Sequence, residues 1–252
     1  PPDCMDDQLA FANAAREGFR RASAASGIIE RYYRIAQSTI LLRFAGDALL
    51  EPITPALEHL RLPEAAAADF TIDLFDSRST ATSLPFLLDR YIQLMRLRWW
   101  EQLGTRREIK GMNSERIRSV FHLGPDILSV LDQQENHAVY WVEDAADIPY
   151  YETGYPLSVL LNWWFGKRNH FFVHAACFGT DNGSVLLTGK GGSGKSTTTL
   201  ACLDSGLRLS GDDYCVVHPE RLMAYSVYNT IKLKGLQDVE RFAHLKSCID
   251  NL

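Results

Sequence analysis

Eight residues late in the chain, Gly189-Lys190-Gly191-Gly192-Ser193-Gly194-Lys195-Ser196, constrain the fold more than any other stretch. They fit the pattern of glycine, four residues, glycine, lysine, then serine or threonine, which marks a loop that cradles phosphates. Glycines let the backbone take positive φ, so that successive N–H groups converge on one anion-binding nest. Lys195 supplies a mobile positive charge for the β- and γ-phosphates, and the Ser196 hydroxyl suits a Mg²⁺ coordination shell. Before the loop, Gly183 closes a polar turn and Ser184–Thr188 reads as a short apolar strand. After it, Thr197 to Leu203 reads as a helix whose positive end faces the anion. Strand, glycine loop and helix together predict that residues 189–197 bind a nucleoside triphosphate with Mg²⁺.

The loop also limits the topology. Only 56 residues follow Ser196, whereas an ordinary nucleotide-binding α/β domain places most of its parallel strands after such a loop. Much of the sheet must therefore come from preceding strands. Asp181-Asn182-Gly183 is a hairpin signal that makes 170–178 and 184–188 antiparallel partners. The expectation is an α/β domain with a mixed sheet and its phosphate loop late in the order. The chain starts at Pro1 and stops at Leu252 inside apparent helix, which suggests further residues at the C-terminal end.

Ahead of this domain the sequence predicts a small α+β domain over 1–135. Residues 5–24 read as a helix ended by Gly27, and 31–44 as strand material closed by Ala45-Gly46-Asp47. A short helix is expected between Pro55 and Pro63, and a strand over 70–76. Leu84, Leu87, Leu88, Tyr91, Ile92, Met95 and Trp99 recur at helical spacing, and core packing is the plainer reading of that stripe. The same region is basic (Arg90, Arg96, Arg98, Arg106, Arg107, Lys110, Arg116 and Arg118), which reads as a solvated face or, less plainly, a surface for an acidic partner. The polar run Asp132-Gln133-Gln134-Glu135-Asn136 sets the expected boundary, with 136–252 as the second domain. Residues 139–142 read as a strand, 155–166 as an aromatic-rich helix, and 169–178 as another strand.

Composition excludes some classes. A net charge of −5 gives no general basis for nucleic-acid affinity. No stretch reaches the roughly 18 apolar residues of a membrane span, and the acidic N-terminus is no secretory leader. Five cysteines, at 4, 177, 202, 215 and 248, show no metal or disulfide spacing. A reduced, cytoplasmic setting is the corresponding expectation.

Past the loop helix, Leu207–Ser210 reads as a brief strand ending in Gly211-Asp212-Asp213. Its first aspartate lies 17 residues beyond Lys195, far enough for one short helix and a return to the same sheet edge. Paired carboxylates beside a bound magnesium nucleotide can hold the metal and accept a proton from an attacking hydroxyl. Elsewhere such a pair would read as a turn or helix cap. Alone, His174, between Val173 and Ala175, reads as a core histidine.

Taken together, His174-Ala-Ala-Cys, Val185-Leu-Leu-Thr-Gly, Gly194-Lys-Ser-Thr, Gly206-Leu-Arg-Leu and Gly211-Asp-Asp resemble the bacterial HPr kinase/phosphorylase family. That family belongs to the phosphoenolpyruvate carboxykinase-like superfamily, which includes the serine kinases of lasso-peptide gene clusters. The separations of 15 residues from His174 to Gly189 and 23 from Gly189 to Asp212 are in register with the family pattern. The resemblance covers roughly 155–235. It implies a kinase domain of that family's C-terminal type and an ATP- and Mg²⁺-dependent transfer to a serine of a protein or peptide. Asp212 would be the general base, His174 would tune it, and Asp213 with Ser196 would support the metal. The division between Asp212 and Asp213 is left open. The family's hexamers raise homo-oligomerisation as an expectation. The phosphorylase signature that follows the aspartate pair in the family is replaced here by Ser226-Val-Tyr-Asn-Thr-Ile-Lys-Leu-Lys, which speaks against a reverse reaction. Lys232 or Lys234 could face phosphate or acceptor. The alternatives are a small-molecule hydroxyl kinase and an ATP-binding regulatory module without transfer activity.

Overall fold

The first apolar-periodic stretch becomes helix α1, Met5–Ser26, which buries Phe11, Ala15, Phe19 and Ala22 along one face. Asp6 and Asp7 complement its positive end. Gly27, at φ 78°, stops it by turning left-handed while its N–H bonds the Ser23 carbonyl at 2.8 Å. The computed structural model describes residues 5–203, 205–231 and 240–242. The chain divides into two units, Pro1–Arg168 and Asn169–Leu252, and each is treated by itself below.

In the first unit, strands β1 (Ile28–Ile35) and β2 (Ser38–Ala45) form a hairpin with Ile35 opposite Ser38. Its two turn residues, Ala36 and Gln37, have φ of 45° and 71°, the left-handed pair that matches strand twist. Nothing in Ala-Gln announces such a turn, so 31–44 reads from sequence as one run. Gln37→Gly is expected to raise stability by roughly 0.5–1 kcal/mol, because glycine carries no Cβ penalty there. A urea midpoint that does not rise would contradict this.

Helix α2 (Leu50–Ile53) and a 3₁₀ turn over Pro55–Leu60 lead to β3 (Phe70–Asp76), then α3 (Ser77–Thr80), α4 (Phe86–Leu97) and α5 (Trp99–Gln102). Asp76 caps α3 by accepting from the Ser79 N–H at 2.7 Å. Strands β4 (Ile117–His122), β5 (Ile127–Asp132) and β6 (His137–Val142) complete a six-stranded sheet of order β1-β2-β3-β6-β5-β4. It is mixed: β3 runs parallel to β2 and β6, and the other pairings are antiparallel. Parallel neighbours on both sides keep β3 away from solvent. Phe11 and Phe19 of α1 join Ile92 and Met95 of α4, Phe75 and Trp141 in one core. Of the predicted stripe, Leu88, Ile92 and Met95 are core and Leu84 and Tyr91 pack against it, whereas Trp99 is exposed. Helices α6 (Tyr150–Gly154) and α7 (Ser158–Gly166) close the unit.

The boundary expected at 135/136 falls instead after Arg168. Residues 133–136 form the tight connection between β5 and β6, and β6 lies inside the sheet beside β3. Their polarity marks a turn rather than a linker. Asp132 pins this turn: only 3% exposed, it accepts from Arg116 Nε and Nη2 at 3.1 Å each and from the Gln134 and Glu135 N–H groups.

In the second unit, β8 (Ala175–Thr180) lies between β9 (Gly183–Thr188) and β10 (Arg208–Gly211), antiparallel to both. A second sheet has the order β12 (Met223–Ser226), β11 (Cys215–His218), β7 (Phe171–Val173), again with antiparallel pairings. Helix α8, Lys195–Leu203, packs against β8 and β10. The Asp181–Gly183 hairpin lies where the sequence places it. Two expectations change. The mixed sheet belongs to the first unit, and the strand foreseen over 169–178 is two strands in two sheets, broken at His174. Lys232, Lys234, Cys4 and Cys248 lie outside the described residues. No helix among the described residues is long and apolar enough to cross a membrane.

Candidate functional site

Strand order brings the sequence-predicted residues to one sheet edge. Because β9 and β10 both run antiparallel to β8, they point the same way, and their C-terminal ends meet the edge where β8 begins. Ala175 is opposite Thr188, and Cys177 is opposite Gly211. The loop 189–194 leaves β9 there, Asp212 and Asp213 leave β10 there, and His174 enters β8 there. Residues separated by nearly forty positions in sequence thus share one rim.

The loop has the conformation its glycines permit. Gly192 and Gly194 take φ of 84° and 94°, which any side chain would resist. A Cβ on Gly189 would sit 2.6 Å from Ser193 Oγ. Ser193 N–H bonds the Lys190 carbonyl at 3.1 Å, which curls the loop on itself. Lys195 opens α8, is only 7% exposed, and donates from Nζ to the Gly189 carbonyl at 3.0 Å. Its side chain therefore spans the loop from last residue to first. Gly191 lies at the exposed tip, and Lys190 is also exposed. Ser196 and Thr197 follow, half-buried, in the first turn of α8. The hydroxyls of Thr198 and Thr199 bond back to the carbonyls of Gly194 and Lys195, which leaves those of Ser196 and Thr197 in the first turn.

The second constellation lies where the chain crosses between the two small sheets. His174 joins β7 to β8, and Asp212–Tyr214 joins β10 to β11, with Val173 opposite Cys215. His174 Nε2 lies 3.4 Å from Asp213 Oδ1, and its ring centroid is 5.6 Å from that of Tyr214. Histidine thus meets the second aspartate of the pair. The two carboxylates differ in access: Asp212 is 1% exposed, and the Asp213 side chain 18%. Beneath them, Cys215 is hydrogen-bonded to Cys177 and buried, and both effects push its thiol well up. It also donates to the Ala175 carbonyl at 3.4 Å. The same hydrogen bond pulls the Cys177 thiol down, and neither cysteine is in a disulfide.

The donor set fits a magnesium nucleotide. A helix mouth of free N–H groups, one lysine and curled glycine backbone suit a polyphosphate. Among the described residues, no group of three or more His, Cys, Asp or Glu side chains could hold a metal ion. One hydroxyl and one carboxylate, with the remaining oxygens from phosphate and water, is the arrangement Mg²⁺ usually takes. Ser196 and Asp213 are the residues that would hold it. Tyr214 and the Cys177–Cys215 pair were not legible beforehand. The alternation that places them becomes visible only once the break at His174 is known. No protein-family model matches the chain, and no curated protein matches it.

Proposed function

We propose that this chain is an ATP- and Mg²⁺-dependent kinase that phosphorylates a hydroxyl, in the first place a serine of a protein or peptide, and that it is related to the HPr kinase/phosphorylase family. The observation that carries this reading is the convergence of the phosphate loop, His174 and the aspartate pair on one sheet edge. A phosphate loop alone would suit any nucleotide-binding module. An acidic pair with an attached histidine at the same edge adds the groups that a hydroxyl acceptor needs.

In this reading the backbone N–H groups of 190–196 and Lys195 hold the phosphates and neutralise charge as it shifts toward the leaving oxygen. Bound Mg²⁺ would add positive charge against the same oxygens. Asp213 is the more accessible carboxylate and faces His174, which suits a group that must reach a metal. Asp212 is shielded from water, which suits a base that must take its proton from the acceptor rather than from solvent. The acceptor oxygen forms its bond to the γ-phosphorus as the bond to the β–γ bridging oxygen breaks. Its proton passes to Asp212, and ADP departs. Most of the rate gain comes from holding the two reactants in line.

Asp212→Asn tests this directly. Transfer is expected to fall by about 100- to 10,000-fold, the usual contribution of a general base. Affinity for ATP should hold within about threefold, because Asp212 does not form the phosphate nest. Calorimetric ATP titration and a labelled-phosphate transfer assay on the same preparation separate the two. Transfer at the unsubstituted rate would remove Asp212 from the base role.

A further inference from the structure

The first unit holds a site that the kinase reading does not use. On the face of its sheet away from α1, strands β4, β5 and β6 floor a cavity of about 270 Å³, roofed by the 105–107 turn and by residues 152–159. Tyr140 lines it at the centre of β6. Ser129 is its cross-strand neighbour on β5, and Val120 of β4 is in turn paired with Ser129. Tyr140 is 1% exposed, and its hydroxyl has no hydrogen-bond partner among the described residues. A buried hydroxyl without a partner costs roughly 1–3 kcal/mol. One on a residue that lines a cavity points to something that enters it.

The charges at the mouth say what kind of group that is. Arg106 and Arg107 line the cavity and are exposed. Three neighbouring cations are already paired: Arg96 with Asp126 and Glu143, Arg98 with Glu101, and Arg116 with Asp132. The Arg106 and Arg107 side chains have no acidic partner among the described residues. The one acidic residue of the lining, Glu152, stands 3.8 Å from His122, whose other ring nitrogen meets the Tyr151 hydroxyl at 3.2 Å. Two guanidiniums face one carboxylate of the lining, and Glu108 beside the mouth accepts from the Arg106 N–H at 2.8 Å, so the local charge suits a monoanion better than a dianionic phosphate. Val120, Ile127, Leu157 and Val159 supply apolar walls. Two of the lining residues, Arg107 and Leu157, hold left-handed backbone at φ 66° and 59°, a conformation that side chains of this size adopt only when their surroundings impose it. Burial also pushes the Tyr140 hydroxyl well above its ordinary range, so it remains a proton donor at any physiological pH.

We propose that this cavity binds a carboxylate on a short apolar stem, received by the Tyr140 hydroxyl within and by Arg106 and Arg107 at the mouth. The carboxylate comes either from a free small acid or from a glutamate or aspartate side chain of a bound peptide. The inference stands on the first unit alone and does not depend on the kinase reading.

The test is calorimetric titration of the full chain with hexanoate and benzoate, with their amides, and with N-acetyl-Ala-Glu-Ala-amide and its Gln counterpart. Tyr140→Phe keeps the ring and removes only the donor. Because that donor is unpaired in the fold, the variant should melt no lower than the parent, which checks that it is folded. At least one acid or the Glu peptide should bind, with the matching amide at least about ten-fold weaker and Tyr140→Phe weakening the acid by about ten-fold. Arg107→Ala should weaken it as well. Binding of free acids alone names a small-molecule site, and binding of the Glu peptide names a peptide side chain. The proposal is overturned if acid and amide bind alike, if Tyr140→Phe binds the acid as the parent does, or if none of the probes binds at about 10 mM.

Discussion

Lys195→Ala is expected to lower affinity for magnesium ATP by about 100-fold and to abolish phosphoryl transfer. The lysine is the one side-chain cation of the phosphate loop that opens α8, and it is held across that loop by the Gly189 carbonyl at 3.0 Å. A charge-assisted contact to phosphate, removed without replacement, costs on the order of 3 kcal/mol, which is about two decades in affinity. The fold should tolerate the change. Lys195 contributes a single hydrogen bond to a backbone carbonyl on an exposed loop, so the loss of melting temperature should be small. Calorimetry with ATP and Mg²⁺, beside a thermal melt, reads both quantities. Equal affinity in the two proteins would mean that the loop does not bind nucleotide through this lysine.

Asp132→Ala should be among the most damaging single changes in the first unit, at about 3 kcal/mol. Its carboxylate satisfies a bidentate guanidinium and two backbone N–H groups, and lies 3.5 Å from Arg16 of α1. Alanine would leave those donors without an acceptor while two cations face the gap. The loss should sit at the low end of the range for a broken buried pair, because Arg116 is partly exposed and still has Glu135 at 3.8 Å. Asp132→Asn, which keeps an acceptor for the turn, should cost less.

The pH dependence follows from the same contacts. Burial by itself would raise the Asp132 carboxyl, but Arg116 and the two turn N–H groups outweigh it and hold the group below its ordinary range. A depressed folded-state value means that the stabilisation is complete above the unfolded value near pH 4 and is lost as pH falls through the folded value. The difference between the parent and Asp132→Asn should therefore narrow in acid. Urea denaturation at neutral pH and near pH 3 measures it. A neutral-pH loss below about 1 kcal/mol for Asp132→Ala would contradict the account.

The same residue shows what sequence could and could not tell. Asp132 opens a run of five polar residues, and polarity without periodicity reads as a linker. The structure makes it the pinned end of a hairpin, because a long-range partner, Arg116, turns a solvated residue into a buried anchor. Strand β5 is silent in the sequence for a related reason. Completely buried β5 has no polar alternation to announce it. Local signals did better where the chemistry is local. Gly27 ends α1, Asn182-Gly183 makes the hairpin, and Gly192 and Gly194 take the positive φ that the phosphate motif needs. The residues of the candidate site stand out in the sequence, but their pairing does not. Nothing in the spacing says that His174 meets Asp213 rather than Asp212, since that depends on where two chains cross between sheets.

The central claim is transfer of a γ-phosphoryl group from this loop to a serine. Incubation with γ-phosphate-labelled ATP and Mg²⁺, against host extract split into macromolecular and small-molecule fractions, tests it most directly, with Lys195→Ala as the control. The account predicts Lys195-dependent, acid-stable label on serine of a protein or peptide. Label confined to small molecules, or ATP binding with no Lys195-dependent label in either fraction, would contradict it.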